Sequence, residues 1–215
     1  MSARRTIDRL LSRSGLCSRT VAARLVREGR VRVNGELVRS VETWVEPERD
    51  AVTIDGRPLR SAQALYLCLN KPKGFLTSFG DPRGRRTVYE LLEHVPSWVF
   101  PVGRLDRDTS GLLLLTNDTE LAERVTDPRC GVPKLYRVRL DRAPDAEQIR
   151  LLRSGVEFEP RVVSAPCEVR VRNARPDRAE TEITLHEGRY RQGRRRCEAG
   201  GRAAHNGFQN SEPPG

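Results

Sequence analysis

The chain has 215 residues, 37% hydrophobic and 32% charged, which allows a medium domain with a small partner and argues against global disorder. Its formal net charge is +10, carried by 36 arginines and 3 lysines, which favours a nucleic-acid partner over a merely basic soluble protein. No apolar run reaches membrane-spanning length and no signal peptide is evident, so we expect a cytoplasmic protein that binds no membrane.

The five cysteines do not form a disulfide or metal-binding pattern. Their number is odd and no two stand in a Cys-x-x-Cys pair. All lie in or beside apolar runs, which predicts buried free thiols. We therefore expect no metal site.

The first sixty residues have the periodicity of two short helices followed by small strands. Ile7, Leu10 and Leu11 have helical spacing. Ser18 is placed to cap a second helix, which Gly29 ends. Alternating apolar residues and two strong turn pairs predict the strands: Val31 and Val33 before Asn34-Gly35, and Val52 and Ile54 before Asp55-Gly56.

The two predicted helices carry an unbalanced positive charge. Residues 1–32 contain nine arginines and two acids, a local net charge of +7. A charge run is usually a solvated face, but such a face mixes in acids, which are scarce here. We therefore predict binding to the phosphate backbone. The arginines assigned to RNA binding are Arg4, Arg5, Arg9, Arg19, Arg24, Arg27, Arg30 and Arg32.

This part of the chain resembles the S4 RNA-binding domain. The resemblance implies that the second helix and the turn into the first strand contact structured RNA. Binding is all that it implies, because S4 domains occur in enzymes, ribosomal proteins and stress proteins alike. The matching residues are Ile7-Asp8-Arg9-Leu10-Leu11, Gly15, Ser18, Arg19 and Glu28-Gly29-Arg30-Val31-Arg32-Val33-Asn34-Gly35.

A second domain follows a polar boundary at residues 56–63. Its apolar alternation predicts strands and helices in the arrangement of an α+β domain with a largely antiparallel, mixed sheet. The first strand, around residues 65–69, runs into a basic turn, in which Lys71 and Lys73 are assigned to RNA binding. Residues 80–86 form a second basic turn before a short helix.

The most informative segment is a polar loop followed by an apolar strand. From spacing alone, a structural salt-bridge cluster with Arg104 and Arg107 is the better explanation of Asp106 and Asp108. The segment, however, resembles the catalytic motif of pseudouridine synthases in which an S4 domain precedes the catalytic domain. That resemblance implies that Asp106 is the catalytic carboxylate. The match is unbroken over Gly103-Arg104-Leu105-Asp106-Arg107-Asp108-Thr109-Ser110-Gly111-Leu112-Leu113-Leu114-Leu115-Thr116-Asn117-Asp118.

The resemblance implies isomerisation of a uridine of ribosomal RNA on a flipped-out nucleotide. The N1 glycosidic bond breaks, the base turns, and the sugar is rejoined through C5, which requires no cofactor and no metal. Asp106 either attacks covalently or takes a proton from the ribose so that a glycal forms, and both routes stay open. Arg104 is a candidate for the guanidinium that keeps this carboxylate ionised at the substrate.

Two further residues are assigned to substrate binding. The strand pattern of residues 134–140 alone suits Tyr136 as a core aromatic, whereas the resemblance implies that its ring stacks on the target base. Arg194 follows a Glu-Gly-Arg stretch that resembles the family segment whose arginine reaches the catalytic aspartate. A basic patch that contacts phosphate explains Arg194 equally well.

The resemblance breaks at the C-terminus. Gly193 and Arg196 stand where the family has apolar residues, and residues 196–215 contain no Val, Ile, Leu or Met, which predicts a disordered tail. We hypothesise that the original C-terminus has been lost or replaced. The predicted domains are residues 1–60, the S4-like domain, residues 63–195, a catalytic domain that lacks its C-terminal part, and residues 196–215, the tail.

Three functions remain open from the sequence. The first is an active pseudouridine synthase, and the second is a catalytically impaired RNA-binding protein derived from one, which the tail supports. The third, a ribosome-associated regulator with an unrelated partner domain, is disfavoured by the unbroken segment 103–118. The expected partner is structured ribosomal RNA or an assembling ribosomal subunit, bound by a monomer without a small-molecule cofactor.

Overall fold

The computed structural model describes residues 4–60, 62–155, 157–159, 162–175, 178–186 and 209–210. The fold divides into two units, of which the first comprises the residues up to 67 together with residues 94–100 and 115–120. The second unit comprises the other residues. In the described part of the chain, no helix is both long and apolar enough to cross a membrane.

The first unit is built from two short helices and two small sheets. Its helices and strands are β1 (Arg5–Thr6), α1 (Ile7–Arg13), α2 (Arg19–Arg27), β2 (Val31–Val33), β3 (Glu36–Leu37), β4 (Trp44–Val45), β5 (Val52–Ile54) and β6 (Arg57–Pro58). Strand β1 pairs with β4, and the other described strands form an antiparallel sheet in the order β3-β2-β5-β6.

The cap and turn predicted for this unit are confirmed. The Ser18 hydroxyl accepts the N–H of Val21 at 3.2 Å and so begins α2. Asn34 and Gly35 have φ angles of 52° and 85°, as a tight hairpin turn between β2 and β3 requires. The apolar faces of the helices and strands share one core, composed of Ile7, Leu11, Cys17, Ala22, Leu25, Val26, Val31, Val38, Val45 and Val52.

Gly15, just after α1, lets later parts of the same unit approach the end of that helix. A Cβ at this position would lie 2.7 Å from Ala62 Cβ and 2.8 Å from Asn117 Nδ2, and the φ angle is 72°. The Gly15 carbonyl accepts the N–H of Trp98 at 3.1 Å. Asn117 in turn accepts the N–H of Leu65 at 2.9 Å. These contacts explain why two later segments belong to the first unit.

The remaining strands and helices are β7 (Tyr66–Lys71), β8 (Phe100–Pro101), β9 (Ser110–Thr116), α3 (Thr119–Thr126), β10 (Lys134–Leu140), α4 (Ala146–Ser154), β11 (Glu157–Glu159), β12 (Val162–Val163), β13 (Glu168–Arg175), β14 (Arg178–Leu185) and β15 (Gln209–Asn210). Seven described strands form one sheet in the order β13-β14-β10-β15-β9-β7, with β8 beside β9. Strand β10 is antiparallel to β14 and β15, β13 is antiparallel to β14, and β15 is parallel to β9. The predicted α+β class with a mixed, mostly antiparallel sheet is confirmed.

Strand β15 lies where the sequence predicts a disordered tail. Its two residues pair with β10 and β9 through the backbone. Backbone pairing requires no apolar side chain, so the absence of aliphatic residues does not prevent it. Residues 187–208 and 211–215 lie outside the described residues, and disorder stays a prediction for those from 196 onward.

The burial predicted for the cysteines is only partly right. Cys17 is buried and Cys167 is half-buried, but Cys68 and Cys130 are exposed. Cys68 lies on β7, the last strand of the sheet order, where alternate side chains face away from the core. The apolar neighbours that predicted burial point to the opposite face.

Candidate active site

The loop that carries Asp106, residues 103–109 (the Asp106 loop), is fastened by residues 71–77 (the supporting segment). The Leu105 carbonyl accepts a hydrogen bond of 2.8 Å from Thr77 Oγ1, and the Arg107 carbonyl accepts one of 2.8 Å from the Gly74 N–H. The Thr109 carbonyl accepts one of 2.7 Å from Lys71 Nζ. Because alternate carbonyls are fixed, the backbone on either side of Asp106 is held in one conformation.

Lys71 contributes to this support from a fully buried position. Its ammonium group donates to the carbonyls of Thr109 at 2.7 Å and Pro72 at 3.1 Å. Burial lowers the pKa of Lys71, and the negative charges of Asp108 and Asp106 oppose that shift. The prediction that Lys71 binds RNA is therefore wrong, because its ammonium is enclosed by carbonyl groups and does not reach a phosphate.

Thr77 is a supporting residue that the sequence did not reveal. Its buried hydroxyl donates to the Leu105 carbonyl at 2.8 Å and accepts the Leu105 N–H at 3.3 Å. Both backbone groups of the residue before Asp106 are thus satisfied by one side chain. A threonine after a basic turn carries no sequence signal for this role, since the pairing spans 28 positions.

Thr77→Val is expected to slow turnover about tenfold, because the reactive carboxylate loses part of its alignment. The substitution keeps the shape of the side chain but leaves two buried backbone groups of Leu105 unsatisfied, at a cost of about 1–3 kcal/mol in unfolding free energy. Single-turnover rates and thermal melting measure the two effects. Thr77→Ser should restore both, and RNA affinity should stay unchanged in either variant. Full turnover in Thr77→Val would contradict the supporting role.

Asp106 is half-buried, whereas Arg104, Arg107 and Asp108 are exposed. In the described part of the chain, neither aspartate forms an ion pair with Arg104 or Arg107. The structural salt-bridge cluster that spacing alone allows is therefore not formed by these residues. Within the described residues, Arg104 and Arg107 thus leave the Asp106 carboxylate available to a substrate.

Tyr136 lies close enough to Asp106 for the two groups to interact electrostatically. The tyrosine is half-buried on β10, beside the core formed by β10 and β14. Burial raises the pKa of its phenol, and the negative charge of Asp106 raises it further. The phenol is thus neutral at physiological pH, and the ring packs against the apolar core, which suits contact with a pyrimidine.

Arg194, the other predicted substrate-binding residue, lies outside the described residues. Lys73 is exposed, so its assignment to RNA binding stays a prediction.

The arginine-rich face of the first unit is partly balanced by acids from later in the chain. Arg19 pairs with the buried Asp8 at 2.7 Å. Arg30 pairs with Asp55, and Arg4 pairs with Glu46 at 3.5 Å. Counting acids within residues 1–32 missed the partners at positions 46 and 55. Among the described residues, no acidic partner is found for Arg5, Arg9, Arg27 and Arg32.

Comparisons with known proteins match both parts of the chain. Residues 65–199 match the RNA pseudouridylate synthase family, and residues 5–52 match the S4 domain. An uncharacterized RNA pseudouridine synthase of Aquifex aeolicus (strain VF5) is 44% identical over 184 residues, 85% of this chain and 74% of that protein. Ribosomal large subunit pseudouridine synthase B of Bacillus subtilis (strain 168) is 33% identical over 194 residues, 90% and 79% respectively. A crystal structure of pseudouridylate synthase has a TM-score of 0.67 at 26% identity, covering 96% of this chain and 87% of that one.

Proposed function

The chain belongs to the RNA pseudouridylate synthase family, and on that premise we propose that it converts a uridine of ribosomal RNA to pseudouridine with Asp106 as the catalytic carboxylate. It is an RNA pseudouridine synthase with an S4 domain. The observation that supports the assignment of Asp106 is the structure of its loop. Hydrogen bonds fix alternate backbone carbonyls on both sides of one half-buried carboxylate. Such pre-organisation is what a reacting group requires.

The proposed chemistry uses this carboxylate without a redox step. The bond between N1 and C1′ breaks, the base turns, a bond forms between C5 and C1′, the C5 proton is released, and N1 takes up a proton. Asp106 serves either as a nucleophile toward the sugar or as a base toward a ribose proton. In either route the target nucleotide leaves the stack to reach the carboxylate, and the Tyr136 ring receives its base.

Ribosomal RNA is the proposed substrate class. The Bacillus subtilis relative is named for the large ribosomal subunit, and the S4 domain adds a surface for structured RNA. We propose residues 1–60 as this RNA-binding domain and residues 63–195 as the catalytic domain.

The test is tritium release from RNA labelled at uridine C5. Unmodified large-subunit, small-subunit and transfer RNA transcripts are incubated separately with the purified protein. Release from a ribosomal transcript alone supports the proposal, and release from transfer RNA alone overturns the substrate class. A folded protein that binds every transcript and releases no tritium would point to a catalytically impaired RNA-binding protein.

Arg27→Ala is expected to weaken RNA binding and flatten its salt dependence. Arg27 is exposed on α2, and no acid neutralises it among the described residues. Loss of one phosphate contact lowers the slope of log affinity against log salt by about one. Arg150→Ala is the control, because Arg150 on α4 already pairs with Glu147 at 2.8 Å. Equal changes in the two variants would mean that unspecific positive charge, rather than the S4 surface, holds the RNA.

A further inference from the structure

The turn that follows the supporting segment carries an aromatic side chain, Phe79, which is exposed to solvent. Phe79 is 51% exposed, although it begins a turn of otherwise polar and basic residues, 79–86 (the basic turn). Its ring is set edge-on to the Tyr89 ring, with centroids 5.2 Å apart and an interplanar angle of 87°. Tyr89 is half-buried, and this burial raises its pKa to about 12. The exposed ring therefore rests on a fixed, neutral support.

The basic turn is organised by its single acid. The Asp81 carboxylate accepts the N–H groups of Arg83 and Arg85, each at 3.0 Å, and the Arg85 guanidinium at 2.6 Å. Only 6% of the Asp81 side chain is exposed. Hydrogen bonds from Arg85 hold the pKa of Asp81 well below its ordinary value. A turn fixed in this way loses little conformational freedom when it binds a ligand.

The same turn carries three arginines against that one acid. Arg83 is exposed, and no acidic partner is found for it in the described part of the chain. The Arg86 guanidinium lies 4.1 Å from the centroid of the Phe75 ring and bonds Glu90 at 3.0 Å, while 66% of its side chain stays exposed. An exposed aromatic ring and exposed guanidinium groups within one short turn are the combination that binds unpaired nucleotides.

The position of the turn in the fold relates it to Asp106. Thr77 is bonded to Leu105, the residue before Asp106. Phe79 follows Thr77 by two residues, which places their Cα atoms within about 7 Å of each other. The backbone at Phe79 therefore lies close to the segment that holds the Asp106 loop.

We propose that the basic turn binds an unpaired nucleotide next to the target uridine, with the base stacked on Phe79 and the phosphate held by Arg83 and Arg86. This inference rests on the proposed function for its biological substrate. Stacking tolerates any base, because every base has a π face, so the turn adds affinity and position rather than sequence choice. RNA is the occupant that the charge of the turn favours.

The test measures binding of a short fluorescein-labelled oligouridylate by anisotropy, together with the KM for ribosomal RNA. Phe79→Leu keeps an apolar side chain but removes the aromatic face. It should weaken oligouridylate binding about tenfold and raise the KM for ribosomal RNA about tenfold. Phe79→Trp should retain or tighten binding. Arg83→Ala should weaken binding and lower the salt slope by about one. Leu151→Ala, which removes an exposed apolar side chain from α4, is the control and should change nothing.

Failure of this inference is separable from failure of the proposed function. If Phe79→Leu binds oligouridylate and ribosomal RNA as the original chain does, and still melts at the same temperature, the stacking site is refuted. Absence of tritium release from the original chain refutes the proposed function, while the oligouridylate measurement still decides for or against the stacking site.

Discussion

Replacing Asp106 by asparagine is expected to abolish pseudouridine formation and to leave the fold and the affinity for RNA intact. The substitution keeps the shape of the side chain but removes the negative charge that both routes require, so turnover falls by about a thousandfold or more. Among the described residues no cation forms an ion pair with this carboxylate, and the buried Lys71, whose charged form Asp106 favours, keeps its carbonyl partner and the negative charge of Asp108. Tritium release measures turnover, and filter binding measures affinity.

Asp108→Asn is the matched control for this experiment. Asp108 lies two residues further along the same loop and is exposed, so its loss removes the same charge from nearly the same place. Turnover should stay within about threefold of the original value, as is usual for a surface substitution. An equal loss in both variants would mean that the total charge of the loop, rather than the carboxylate at position 106, supports the reaction.

Replacing Lys71 by methionine is expected to impair catalysis more than stability. The Thr109 carbonyl loses its buried donor, which costs about 1–3 kcal/mol. The variant no longer has to bury a charged ammonium group, which offsets part of that cost, since burial disfavours the charged form of Lys71. The net loss in unfolding free energy should be about 1 kcal/mol. With one carbonyl of the Asp106 loop released, however, turnover should fall about a hundredfold.

Lys73→Met separates this support from simple loss of positive charge. Lys73 is exposed and lies two residues after Lys71, so the two variants make the same chemical change in different surroundings. The Lys73 variant should keep its stability and its single-turnover rate, with at most a weaker affinity for RNA. Urea unfolding and single-turnover tritium release test both variants, and indistinguishable results for the two would refute the supporting role of Lys71.

The fold was predictable from sequence wherever its signals are local. A cap such as Ser18, the Asn34-Gly35 turn and the alternating strand residues act within a few positions, so the two helices and the strands beside the turns were predicted. The pairing of β1 with β4, about forty positions apart, was not predicted. A local signal of the same kind is present in the second unit, where the Asp145 carboxylate accepts the Gln148 N–H at 2.8 Å and begins α4.

The support of the candidate site was not predictable, because it depends on pairings between distant parts of the chain. A lysine in a basic turn has the same local pattern whether it faces RNA or, like Lys71, donates to carbonyls 38 positions away. The acids that balance Arg30 and Arg4 escaped a count of nearby residues for the same reason. Asp106 itself was identified through the family motif, since its spacing alone favoured a salt-bridge cluster.

The enclosure of Lys71 also gives the active site a chemical reporter. Of the three lysines, Lys73 is exposed and Lys134 is half-buried, whereas Lys71 is fully enclosed. An amine-acylating reagent reaches Lys71 only while its hydrogen bonds to the Asp106 loop are open. The slowest-acylated lysine of the chain therefore records how often the loop opens.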